Sequence, residues 1–357
     1  MAERKSKGSA LWLIPVIVAA ICVAAGMLFI NSAKGGFAAK EAELPDSAIS
    51  TYLNHVKSND YESIYEDSLQ VDPTLNSKDD YIAKIKGIYS GVNTDSIVYK
   101  QVDKQTTTEY NLYVSDNYLA TLKLIQSSDG KWLASTMFEG DTSYTVEVPT
   151  GLSIQVNGMD VDDSYLSAKK VTASNFSGLN DTADAPKVDQ YQLSNLLSDP
   201  VITVPSDSSY KTLKDAISNT IYVGKDANTA DNAVIFTDDA KIISGFPAQD
   251  TSLGSVASIS ITASDWYSRI ATLQNDWFTA HGTPTYSNLT AENIIQQSDD
   301  TMVGNVYFDY YATNGDVERT WHCGYQITFM KSNGTMKIAG IEVNSSLNPN
   351  DVKNYSE

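Results

Sequence analysis

The sequence predicts an α+β protein held at a membrane by one N-terminal helix. Three observations carry this. An uncharged apolar run fills Leu11–Ile30, apolar residues then recur at helical spacing, and from residue 96 the period changes to two with turn residues between the runs. Helices followed by an antiparallel meander make a layered architecture, with the helices covering one face of a sheet.

The first element is LWLIPVIVAAICVAAGMLFI, residues 11–30. Twenty helical residues rising about 1.5 Å each span about 30 Å, the hydrocarbon thickness of a bilayer. Arg4, Lys5 and Lys7 precede the run, so the tail 1–10 is expected in the cytoplasm and the C-terminal body outside. A cleaved signal peptide has an apolar core of about 7–15 residues. This run is longer, and Asn31-Ser32-Ala33 is a poor cleavage site, so the expectation is an uncleaved single-pass anchor in the cell membrane. Ile21 stands where a lipoprotein site at Cys22 needs a small residue. Residues 31–44 are small and polar and read as a stalk. Cys323 is the only cysteine beyond the membrane run, so the outer body has no internal disulfide.

An α+β unit is expected over 45–143. Ile49, Tyr52, Leu53 and Val56 mark one face of a first helix. Asp60 caps a second with Tyr61, Ile64 and Tyr65 inward. Ser77 and Asp80 form a capping box ahead of Tyr81, Ile82, Ile85 and Ile88, and Gly91 stops that helix. Strands follow over 96–103, 107–114, 118–126 and 131–139. A small all-β module is expected over 144–205, marked by Pro149-Thr150-Gly151 and the hairpin dipeptide Asn157-Gly158. Residues 167–190 are polar and read as a loop, and 191–204 return to strand. A second α+β unit is expected over 206–357. SYKTLKDAIS reads as a helix, and Ser264 caps another bearing Trp266, Ile270, Leu273 and Trp277. Strands are expected at 302–312, 317–330 and 335–344, joined at Asn314-Gly315 and Asn333-Gly334. Residues 220–260 carry no clear pattern. TLKLIQSSDGKWLASTMFE (121–139) and YQITFMKSNGTMKIAGIEV (325–343) share a strand, Ser-Asx-Gly turn, strand pattern, which reads as two copies of one fold flanking the β module.

Composition excludes several functions. The chain of 357 residues has 25 basic and 44 acidic residues, a formal charge of −19. Setting aside Arg4, Lys5, Lys7 and Glu3 leaves 22 and 43, a net −21 outside the tail and anchor. Such a body repels polyanions and is not expected to bind nucleic acid.

The stretch from DSAISTYLNHVKSNDYESIYEDS to SSDGKWLASTMFE resembles an NTF2-like domain, a cone of helices against a bent sheet, found in bacterial envelope proteins including the N-terminal parts of some penicillin-binding proteins. VEVPTGLSIQVNGMDV resembles the β module of TcaA-type single-pass envelope proteins, with its P-x-x-x-x-x-x-V-N-G segment. These resemblances imply a non-enzymatic envelope protein linked to cell-wall antibiotic response. TcaA-type proteins often carry a cytoplasmic zinc ribbon. No cysteine precedes the membrane run here, so activity tied to that ribbon is not implied.

No catalytic, metal or cofactor site is expected. Ser167–Lys170 fits S-x-x-K and Ser115-Asp116-Asn117 fits S-D-N, but their order is reversed and no K-T-G exists. No P-loop, G-x-G-x-x-G or H-E-x-x-H occurs. Asp160, Asp162 and Asp163, and Asp226 with Asn228, lack the glycine and glutamate positions of a calcium loop and read as solvated turns. His55, His281 and His322 are dispersed. His55 lies off its helix stripe, and His281 sits in a loop.

His322 shares a strand with Arg319, Trp321, Cys323 and Tyr325, which alternate to its other face, and Asp309 falls on a neighbouring strand. Tyr307 and Tyr311 share one face of that neighbour, Phe308 and Tyr310 the other. His322, Asp309, Tyr307 and Tyr311 are therefore the candidate ligand-binding residues. The leading functional expectation is an extracytoplasmic scaffold or sensor binding an envelope protein or a cell-wall component. The alternative is a small-ligand or lyase/isomerase-type cone pocket in the C-terminal unit, built on His322 and Asp309.

Overall fold

A computed structural model describes residues 45–68, 71–103, 108–128, 130–138, 143–273 and 280–351. The expected tail, anchor and stalk, and Trp277, lie outside the described residues. Among the described residues no helix is long and apolar enough to cross a membrane. The architecture is α+β, and the chain divides into two units, Met1–Phe138 and Glu139–Glu357.

The first unit runs α1 (Pro45–Ser58), α2 (Tyr61–Glu66), α3 (Lys78–Tyr89), then β1 (Val98–Gln101), β2 (Glu109–Val114), β3 (Asn117–Gln126) and β4 (Trp132–Thr136). The strands form one antiparallel sheet in sequence order. The expected caps form. Asp60 accepts from the Ser63 amide at 3.2 Å, and Ser77 accepts from the Asp80 amide at 3.0 Å while its hydroxyl donates to the Asp80 carboxylate at 2.6 Å. Gly91 follows α3 with φ 72°, a left-handed position that glycine enters at least cost. Ile49, Tyr52, Val56, Ile64, Tyr81 and Ile85 are buried on the helices, and Leu112, Leu122 and Leu124 on the sheet. Each such side chain stabilises the unit by about 1.5–3 kcal/mol. Tyr89 donates to the Tyr52 hydroxyl at 3.2 Å, and Tyr52 meets the Thr136 hydroxyl, so these two buried phenols are paired.

The second unit holds β5 (Tyr144–Pro149), β6 (Gln155–Val156), β7 (Met159–Asp160), β8 (Leu166–Thr172), β9 (Lys187–Leu193), β10 (Ile202–Thr203), β11 (Tyr210–Lys214) and β12 (Thr220–Asp226). These are followed by α4 (Ala230–Gly245), α5 (Leu253–Ile259) and α6 (Asp265–Thr272), then β13 (Thr285–Gln296), β14 (Thr301–Asn314), β15 (Val317–Ser332) and β16 (Thr335–Val343). Nine strands make one sheet, ordered β16-β15-β14-β13-β12-β5-β9-β8 with β11 also on β12. Among the described residues of this unit, only β10, β6 and β7 stand apart, as a three-stranded sheet.

This corrects the expected boundary at 205/206. β5 pairs in parallel with β12, Thr145 opposite Thr220, so 144–205 is not a separate module. Its hairpin signals are local, whereas the pairing that joins it to the rest spans 75 residues, from Thr145 to Thr220, and leaves no local mark. The helix expected at SYKTLKDAIS is β11. Among Tyr210–Lys214 only Leu213 is buried, and Asp215 turns the chain by accepting from the amides of Ile217 and Ser218 at 3.1 and 2.8 Å. The polar stretch 167–190 contains most of β8 and the start of β9, and 220–260 holds β12, α4 and α5. β13 was not anticipated.

The three Asn-Gly signals all fall at turns. Asn157-Gly158 and Asn333-Gly334 are left-handed at both residues, as a two-residue hairpin of type I′ requires. At the β14–β15 tip the loop is Gly315-Asp316, and only Gly315 is left-handed. Ser264 caps α6 by accepting from the Tyr267 amide at 3.2 Å; Trp266 and Ile270 face inward, while Leu273 is exposed. The helices α4–α6 followed by the meander β13–β16 repeat the element order of the first unit.

Candidate functional site

The long hairpin β14–β15 builds the candidate site. Its register places Asp309 opposite His322. Alternation turns Val306, Phe308, Tyr310 and Ala312 toward the helices, where they join the main core with Phe236, Trp266 and Phe329. Tyr307, Asp309, Tyr311 and His322 lie on the opposite face. The structure thus brings all four candidate residues to one face.

Asp309 is buried there and accepts from four side chains. His322 Nδ1 is 2.7 Å from Oδ1, Asn288 Nδ2 2.7 Å from Oδ2, Asn348 Nδ2 3.0 Å from Oδ1 and Asn350 Nδ2 2.9 Å from Oδ2. Burial alone raises its pKa; the four donors, His322 foremost, outweigh burial and hold the carboxyl down at about 2. Asn288 reaches Asp309 from an irregular stretch of β13, where the register shifts and Asn288 itself is left-handed, φ 54°. Asn348 also donates to the carbonyls of Phe308 and Cys323, at 2.9 and 3.3 Å. A short 3-10 turn, Ser345–Leu347, carries Asn348 across the sheet. That crossing needs Gly324, because a β-carbon there would collide with the Asn344 carbonyl. Asn288, Asn348 and Asn350 were missed in the sequence; an asparagine interrupting a strand at Asn288 was the one local signal.

Chemically, the arrangement is a fastening. The carboxylate spends its capacity on four donors and ties β13, β14, β15 and the segment after β16 together. His322 is about one-third exposed, and Nε2 has no partner among the described residues. An imidazole oriented by a carboxylate is half of a proton-transfer pair, but no hydroxyl or thiol nucleophile meets Nε2 here.

Among the described residues no cone cavity is seen around His322 and Asp309. The pair lies on the sheet face away from α4–α6, and the helix side is filled. Phe236 packs edge-on against Phe329 at 4.7 Å between centroids, and Tyr286 lies 5.5 Å from Phe308. Cys323 sits on that filled side, its thiol pushed up to about 11 chiefly by burial. An unforeseen cluster closes the end of the same core: the Tyr310 hydroxyl donates to Asp250 at 2.7 Å, and His281 Nε2 lies 3.3 Å from both. Burial first, then Asp250, raises the Tyr310 pKa.

The first unit contains a groove of about 240 Å³ beside α1, lined by Thr51, Tyr52, His55, Asp67, Lys131 and Trp132. His55, expected to be solvated, is half-buried, with Nδ1 3.2 Å from Asp60. Among the described residues no group of three or more His, Cys, Asp or Glu is placed to hold a metal.

No protein-family model matches the sequence. No curated protein matches it. Among solved structures, the chain is similar to one described as "Ntf2 like protein involved in plasmid conjugation", at 10% identity and a TM-score of 0.25, over 79% of this chain and 93% of that one.

Proposed function

We propose that this chain is a single-pass, membrane-anchored scaffold or sensor of the bacterial envelope, resembling TcaA-type proteins, with both helix-plus-meander units NTF2-like. Leu11–Ile30 anchors it, and the outer body binds an envelope protein or a cell-wall component. The observation that supports this most is the use of Asp309: the best-formed polar constellation consumes its carboxylate in holding the fold, beside a core filled by Phe236, Phe308 and Phe329. A binding role needs only an outer surface, and large apolar side chains such as Val317 and Trp321 stand exposed near the β14–β15 tip. The test is crosslinking of the full chain in cells, followed by identification of what is captured. Discrete envelope partners are expected, with the body digested by protease added outside intact cells. Protection from that protease, or capture of nothing above background, overturns the reading.

A further inference from the structure

The first unit carries a pre-ordered polar and aromatic array on the sheet face away from its helices. Alternation sets Asn111, Tyr113 and Thr121 on this face while Leu112, Ala120 and Leu122 turn inward, and a register shift between the Leu112–Ala120 and Tyr113–Tyr118 pairs resets the phase of β3 and brings Tyr118 to the same face. The array is bonded to itself. Asn111 Nδ2 meets the Tyr113 hydroxyl at 3.3 Å, Thr121 Oγ1 donates to Asn111 Oδ1 at 2.6 Å, and the Tyr118 and Thr121 hydroxyls are 3.0 Å apart. The two rings meet at 74° with centroids 6.1 Å apart, and the Lys100 ammonium sits 5.1 Å over Tyr113. Tyr118 remains 58% exposed, so its ring is fixed in place yet uncovered.

Three features define the ligand this face fits. An exposed, pinned aromatic ring offers a flat surface whose π face attracts polarised C–H groups, at little entropic cost on binding. Beside it, the amide and hydroxyls keep unused donor and acceptor capacity, which suits a ligand that both donates and accepts. The charges cancel: Lys100 lies 4.0 Å from Asp116, and Glu109 stands opposite Lys123. Sugar rings present C–H faces edged by hydroxyls and carry no charge. A protein interface is instead apolar at its centre and polar at its rim, whereas this face has its amide and hydroxyls at the centre. We propose that Tyr118, Asn111 and Thr121 form a binding face for an uncharged carbohydrate chain, with Tyr118 stacking on a sugar ring. The inference rests on the reading that the outer body meets a wall component, and names which chemistry it meets.

Calorimetric titration of the purified full chain tests it, with chitotetraose and cellotetraose as neutral probes and poly(glycerol phosphate) as the anionic one. At least one neutral tetramer should bind with a Kd at or below about 1 mM, unchanged between low and moderate salt. Tyr118→Ala and Asn111→Ala should each weaken binding about tenfold or more. Tyr118→Phe should keep most of it, and Val234→Ala in the second unit, an exposed residue on α4, should leave it unchanged. Circular dichroism checks that the variants fold, which the exposure of Tyr118 favours. No binding of either tetramer at about 10 mM, equal binding by Tyr118→Ala, or salt-sensitive binding of the anionic polymer alone overturns the inference. Envelope partners captured in cells by a chain that binds neither tetramer would sink this inference and leave the scaffold reading standing.

Discussion

Asp309 shows how one buried charge is held. A carboxylate removed from water is costly unless its oxygens are met, and here two amide donors come from beyond β16. Its pKa of about 2 lies below the ordinary carboxylate value, so the folded state favours the ionised form. That stabilisation is fully present above about pH 4, worth about 2 kcal/mol, and is lost as pH falls through about 2. Asp309→Asn is therefore expected to lower stability at neutral pH by about 2 kcal/mol or more, and to flatten the acid limb of the stability curve, as read by urea denaturation at several pH values. That Asp309 and His322 stand on neighbouring strands was legible from the alternation of each run, but their pairing was not, because the loop falls at Gly315-Asp316 and a loop at Asn314-Gly315 would have set Asp309 opposite Thr320. The other partners of Asp309 were not legible either, because they depend on an irregularity inside β13 and on a chain crossing permitted by Gly324.

At the scale of elements, the readable features were those written locally. Asp60, Ser77 and Ser264 cap helices because their short oxygens reach amides three residues on, and Asn-Gly marks turns because both positions tolerate positive φ. β11 and β13 escaped because their residues are mostly exposed or half-buried and leave little apolar period. The tight β2–β3 turn places Ser115 and Asp116, φ 49° and 66°, where Asn-Gly is preferred. Ser115→Asn with Asp116→Gly is expected to raise stability by about 0.5–1 kcal/mol, seen as a higher urea midpoint with an unchanged slope. Asp116 is nearly fully exposed, and its 4.0 Å approach to Lys100 offsets little of that gain.

For the molecule as a whole, the parallel pairing of β5 with β12 decides what counts as a folding unit. A fragment of residues 206–357 would expose the edge of β12 where β5 belongs. It is expected to be aggregated or molten by itself, and to become soluble when co-expressed with residues 143–205. A monodisperse, cooperatively unfolding 206–357 fragment would refute this. The three-part division suggested by the sequence fails here for a physical reason: sheet partnership across 75 residues, from Thr145 to Thr220, is set by which strand edge lies open in space, and neither strand's own residues encode it.

That same pairing bears on how the protein is made. A ribosome delivers β5 and β9 well before β12, and helices α4–α6 before the strands they cover. For much of synthesis the early hairpin therefore waits with one ladder of amides and carbonyls unmatched. A nascent chain in that condition invites a chaperone, and slowing translation between Leu193 and Thr220 would lengthen its wait.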